Sequence, residues 1–161
     1  MSAGNDYGEG KLSHTKGTVM ATQVQEKFSV SDPDKAWGVV TDVNKLVPCV
    51  PGAKVLSAES PSKAKVEIKV DMGSMAMTFS GPVEIVEQDD GSKRAVLKAQ
   101  AKEAGGQSNA EGSATIQVGG DGGTVDVTAN VSGKAASMGE GTVQAVLEAL
   151  VKQFTANLAK A

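Results

Sequence analysis

At 161 residues, 40% apolar and 22% charged, the chain suffices for one domain with a real core and is too short for two. A formal net charge of −3, with Arg94 the only arginine, excludes the clustered phosphate-neutralising surface of a nucleic-acid binder. Aromatics are 3% of positions, so Val, Ala, Leu, Ile and Met must fill the interior. Cys49 is the only cysteine, which rules out an internal disulfide and fits a reducing compartment. No run approaches the roughly 18 apolar residues of a transmembrane helix. Met1–Gly17 has no apolar signal region, and the chain reads as cytoplasmic.

Residues 1–19 lack periodicity and read as a disordered tail or an added leader, with the domain spanning 20–161. Thr22–Val30 alternates, with Val24, Phe28 and Val30 on one side, and predicts a strand. Glu26 falls on that apolar side. Either its strand end lies near solvent or it bonds a backbone group, or it orients the polar head of a ligand inside. Ser31-Asp32-Pro33-Asp34 is a helix start, and Trp37, Val40 and Val43 form the apolar side of one short helix. The prolines and glycine of Val47-Pro48-Cys49-Val50-Pro51-Gly52 end it.

Strands then follow in series: Lys54–Glu59, Ala64–Asp71, a strand through Met75, Met77, Phe79, Gly81, Val83 and Ile85, then Lys93–Ala101, Ser108–Val118 and Thr124–Val131. Gly81-Pro82 predicts a bulge, and Gly119–Gly123 a hairpin turn. Beyond Lys134 the period becomes helical, through Val143, Val146, Leu147, Leu150, Val151, Phe154 and Leu158. The fold class expected is α+β: a helix-grip arrangement, an antiparallel sheet of about seven strands curled around a long C-terminal helix, with short helices after the first strand.

The inward faces of two neighbouring strands carry mostly methyl groups or less: Ala95, Leu97, Ala99 and Ala101, then Ser108, Ala110, Gly112, Ala114, Ile116 and Val118. A sheet lies about 10 Å from what covers it, a gap that Ala and Gly do not fill. Either the helix approaches closely there, or space remains for a ligand. In a meander, alternate turns share one end. That end gathers Met72, Met75 and Met138 with Gly73, Gly105, Gly106, Gly139 and Gly141, which predicts a mouth built from adaptable side chains and mobile backbone.

Residues for catalysis are missing from the folded part. His14, the only histidine, lies in the tail, so Cys49 has no imidazole base and a histidine zinc site is excluded. The glycine run at 119–123 lacks the Lys-Ser/Thr and the helix of a phosphate loop. Gly139-Glu140-Gly141 precedes a helix, but Glu140 would repel an anion there. Asp89-Asp90 sits in a turn and reads as solvated.

Several segments resemble a known family. Val47-Pro48-Cys49-Val50-Pro51-Gly52, Phe79-Ser80-Gly81-Pro82-Val83, Ser108-Asn109-Ala110-Glu111-Gly112 and Val131-Ser132-Gly133-Lys134 are together similar to the G-subunit family of carbon monoxide dehydrogenase, within the START-like helix-grip superfamily. The resemblance spans about Thr22–Leu158. It implies a non-catalytic accessory protein that works beside a molybdenum-containing carbon monoxide dehydrogenase-type enzyme, with transient membrane contact at the inner face of the cell membrane. Many members carry a C-terminal apolar anchor, a segment this sequence does not show.

With the residue reading, this implies an internal site for a hydrophobic small molecule, a quinone or lipid, and no covalent cofactor. The expected lining is Phe28, Val30, Trp37, Met75, Met77, Phe79, Ala99, Ala110, Ala114, Val143, Val146, Leu147 and Leu150. The expected mouth or docking surface adds Pro51, Gly52, Met72, Gly105, Gly106, Met138 and Gly139. Two rivals remain at this point: an assembly or membrane-recruitment factor with a filled core, and an aromatase/cyclase-like enzyme with converging polar groups.

Overall fold

The computed structural model describes residues 20–71, 76–120, 122–133 and 136–160; the expectation for residues 1–19 lies outside them. Seven strands form one antiparallel sheet: β1 (Met20–Phe28), β2 (Ala53–Ser60), β3 (Lys63–Asp71), β4 (Ala76–Asp89), β5 (Arg94–Glu103), β6 (Ser108–Val118) and β7 (Gly123–Gly133). Their spatial order is β1-β7-β6-β5-β4-β3-β2. Two short helices, α1 (Pro33–Val40) and α2 (Val43–Leu46), and a 3-10 turn at Val47–Cys49 join β1 to β2. A second 3-10 turn, Ala136–Met138, leads into the long helix α3 (Glu140–Lys160).

The expected short helices after β1 are present, and the apolar run Trp37, Val40 and Val43 is divided between two of them. Asp42 breaks it by taking extended backbone angles and accepting a hydrogen bond from the Asn44 N–H at 3.0 Å, which caps α2. Asp32 caps α1 in the same way, accepting from Lys35 N–H at 3.2 Å ahead of Pro33 in the first turn. The first strand ends at Phe28, two residues short of the sequence expectation, because its ladder with β7 runs out at Gly123. A Cβ at Gly123 would fall 2.2 Å from the Phe28 ring, so the ring lies against bare backbone there.

The bulge expected at Gly81-Pro82 lies elsewhere. Pairing with β3 runs unbroken through both residues, and pairing with β5 shifts only between Ile85 and Glu87. Gly81 instead permits close approach of two strands, since a Cβ there would sit 2.0 Å from the Gln100 carbonyl oxygen. The displaced residue at the true bulge, Val86, is a large apolar side chain left exposed. Leu56, exposed likewise, sits at a register shift in β2.

Register sorts the inward residues into rows that run across the sheet. One row is Thr22, Ala129, Gly112, Ala99, Val83 and Ala64; the next is Val24, Val127, Ala114, Leu97 and Ile85. The outer face carries Lys65, Lys98, Gln100, Lys102, Asn109, Glu111 and Asn130. Two buried clusters occupy the concave side. The larger joins α1, α2 and the C-terminal half of α3 (Val151, Phe154, Leu158) to Leu97, Ile116 and Val125. The smaller joins Val143 to Val70, Met77 and Phe79.

Candidate functional site

α3 rests chiefly on the edge strand β1 and also touches the 3-10 turn before β2, so it spans the opening of the curled sheet rather than lying down on its middle. Gln144 fixes the β1 side, its amide donating to the Gln23 carbonyl at 3.2 Å. Asn157 fixes the other, its amide donating to the Cys49 carbonyl at 2.8 Å. The central strands β5 and β6 are thereby left facing the helix across a gap. Burial records that gap. At the far end of the sheet Ala95, Ile116 and Val125 are fully buried, whereas Ala99, Ala101, Ala110, Gly112, Ala114 and Ala129 are only half-buried although they face inward. On α3 the same contrast separates buried Val151, Phe154 and Leu158 from half-buried Val146, Leu147 and Leu150.

The space consists of two adjoining lobes. The upper, about 300 Å³, is bounded by Thr22, Val70, Phe79, Ala101, Ala110, Ala129, Val131, Val143 and Val146. The lower, about 320 Å³, is bounded by Val43, Leu46, Val47, Val50, Val83, Leu97, Ala114, Val127, Val151 and Phe154. Ile68, Ala99, Gly112, Leu147 and Leu150 belong to both walls and form the waist between them. Each lobe matches the lower end of small-molecule sites, and the two together the middle of that range. Lys98, Ser113 and Glu111 also border the space, but their strand positions direct their side chains to the outer face. The interior is therefore apolar.

Of the residues expected to line a pocket, Phe79, Ala99, Ala110, Ala114, Val143, Val146, Leu147 and Leu150 surround these lobes. Four described ones do not. Phe28 packs on Gly123 at the end of the sheet, and Val30 lies past the strand end against the lower cluster. Trp37 points its indole N–H at Asp90 Oδ1, 2.9 Å away, and so ties α1 to the β4–β5 turn. Met77 is buried inside the smaller cluster. Met75 and Met72 lie outside the described residues, as does the Met138 side chain.

Register places the ends of β3, β5 and β7 and the start of β1 at one end of the sheet, beside the upper lobe. Gly105, Gly106 (φ +76°) and Gly139 (φ +98°) lie there, and Gly52 (φ +81°) accepts from Lys69 N–H near the same end of β3. Pro51 and Gly52 border neither lobe; their neighbour Val50 does.

Sequence reasoning placed Val43 on an apolar helix side but did not assign it, Leu46 of α2 or Val47 of the 3-10 turn to the cavity, because nothing in so short a segment signals which residues reach the space under α3. It also missed Thr22, for which the signal was present: it shares the alternation of Val24 and Phe28. Glu26, on the same face opposite Val125, is half-buried and borders neither lobe. Cys49 is buried, and burial pushes its thiol above the ordinary cysteine range.

A curled antiparallel sheet gripping one long helix around a ligand-sized apolar interior defines the helix-grip fold. The likeness extends to solved structures. These are a conserved protein from Geobacillus kaustophilus (18% identity, 88% of this chain and 93% of that one, TM-score 0.69) and a Thermus thermophilus protein (16%, 88% and 98%, 0.62). A third is an aromatase/cyclase from a Streptomyces species (14%, 88% and 90%, 0.52); at these identities all three speak for the fold alone. The sequence model of CoxG, the G subunit of carbon monoxide dehydrogenase, matches residues 27–161, and the chain belongs to that family. A search of curated protein sequences finds no significant match.

Proposed function

We propose that this protein is a non-catalytic carrier that takes up an apolar electron carrier, a quinone, and presents it to a carbon monoxide dehydrogenase-type molybdenum hydroxylase. It works in the cytoplasm, peripherally at the inner face of the cell membrane, and so couples the enzyme to the respiratory chain. One observation carries the reading: inward alanines and a glycine on β5 and β6 face α3 across unfilled apolar space. Burial of an isoprenoid tail there releases roughly 25 cal/mol for each Å² removed from water, before ordering costs. Family membership supplies the partner, and among the described residues no helix is long and apolar enough to cross a membrane. Among the described residues the cavity walls lack the convergent polar side chains that an aromatase/cyclase-like reaction needs, which favours carriage over catalysis.

Native mass spectrometry after gentle purification, followed by solvent extraction, tests the proposal. A quinone or other neutral lipid bound one to one is the expected result. An empty protein that still binds the dehydrogenase, and takes up no quinone when one is offered, would instead identify a scaffold.

A further inference from the structure

The cavity is not uniformly indifferent to chemistry. Thr22 stands on the wall of the upper lobe, 5% exposed, and its hydroxyl finds no hydrogen-bond partner among the described residues. Its strand position directs the side chain to the concave face, opposite Ala129, with the hydroxyl itself closed off from the open space, so that a turn about the Cα–Cβ bond is needed to present it to the lobe. A buried hydroxyl without a partner forfeits the hydrogen bonds it makes in water, and such groups are rare enough to require a reason. An isosteric valine would avoid that loss in a wall otherwise built of Ala, Val, Leu and Phe.

The surroundings explain what the hydroxyl is for. Thr22 begins the row that continues through Ala129, Gly112 and Ala99, the smallest side chains on the concave face, and Gly112 and Ala99 form the floor of the waist. An elongated molecule reaching the lower lobe passes over this floor beneath Leu147 and Leu150 with its other end beside Thr22. Among the described residues of the lining, no ionised side chain points inward to balance a charge. An ionised head would lose its hydration without compensation, whereas a neutral carbonyl or hydroxyl would lose little and regain a bond from Thr22.

We infer that Thr22 is the positioning residue for a neutral oxygen-bearing head group, with the apolar remainder of the ligand threading the waist into the lower lobe. The inference rests on the carrier reading above and adds to it the residue that holds the guest's head and the restriction of that head to a neutral ketone, quinone or alcohol oxygen, and not a carboxylate or phosphate.

Calorimetric titration of the full chain with three ten-carbon probes tests it: decyl-substituted benzoquinone, decylbenzene and decanoate. The quinone is expected to bind tightest and decanoate weakest at neutral pH. Thr22→Val should weaken the quinone about five- to tenfold, the effect of one lost hydrogen bond, and leave decylbenzene unchanged. Thr22→Ser should retain most of the quinone affinity. In the ligand-free protein Thr22→Val should raise the thermal midpoint, because it removes the unpaired hydroxyl. Equal weakening of quinone and decylbenzene, or no weakening of either, overturns the role of Thr22 and leaves carriage standing. Failure of both neutral probes to bind the unmodified protein overturns carriage itself.

Discussion

Asp90 illustrates how a residue that reads as a solvated turn acquires a task. Its carboxylate accepts from Gln88 Nε2 and from the Trp37 indole, each at 2.9 Å, and these bonds, with the smaller influence of Lys93, hold its pKa below the ordinary aspartate range. A depressed carboxyl contributes stability that is complete above its unfolded value. That contribution disappears as pH falls through the folded one. Trp37 is the only tryptophan, so its emission reports this contact directly. Asp90→Ala is expected to shift the emission toward that of a water-exposed indole at neutral pH, while the unmodified protein makes the shift only in acid, below the range where free aspartate titrates. Identical neutral-pH spectra would mean that the bond does not form in solution. The same contact shows what sequence reasoning leaves out of Trp37, which does pack against the buried core as its apolar character suggests. Large and apolar, it counts as core, and only the three-dimensional nearness of a turn more than fifty residues away reveals its polar attachment.

At the scale of elements, the strands were legible because one face of the sheet is dry and the other wet, which imposes alternation residue by residue. Residues 64–71 show this without a fault, and α3 is equally plain in its threes and fours. The short helices between β1 and β2 were foreseen, but not the point at which one gives way to the next, since a cap competes with propensity over only a few residues and Asp42 reads as ordinary helix surface until its backbone is seen. That connection matters because Val43, Leu46, Val47 and Val50 close the lower lobe. It is held by the Asp42 cap, by Val43 N–H donating to the Pro61 carbonyl at 2.7 Å, and by the Asn157 bond to Cys49. Asp42→Ala should cost about 1 kcal/mol in urea unfolding with an unchanged slope. Amide exchange should accelerate first at residues 45–50, while β5 and β6 keep their protection. Acceleration spread evenly over the sheet would show that the segment does not move as a unit.

For the whole molecule, the cavity sets function against stability. Small residues on β5 and β6 made it foreseeable that something unusual lay beneath α3, but composition alone left two outcomes, close packing or space. The deciding fact is where α3 rests, at the edge of the sheet, and that is a property of curvature no single strand encodes. Atoms facing the gap lack neighbours, so the empty protein forgoes dispersion energy that a guest restores. A ligand at one hundred times its dissociation constant should stabilise the fold by about 2.7 kcal/mol, a midpoint rise of roughly 5–10 °C for a domain of this size. Ala110→Trp would fill the upper lobe and Ala114→Trp the lower. Because the lobes share the waist, either variant should lose most of the rise obtained with decyl-benzoquinone, yet melt no lower than the ligand-free parent. The indole occupies volume that the parent leaves vacant. Were both variants to keep the full rise, the guest would have to bind somewhere other than between this sheet and this helix.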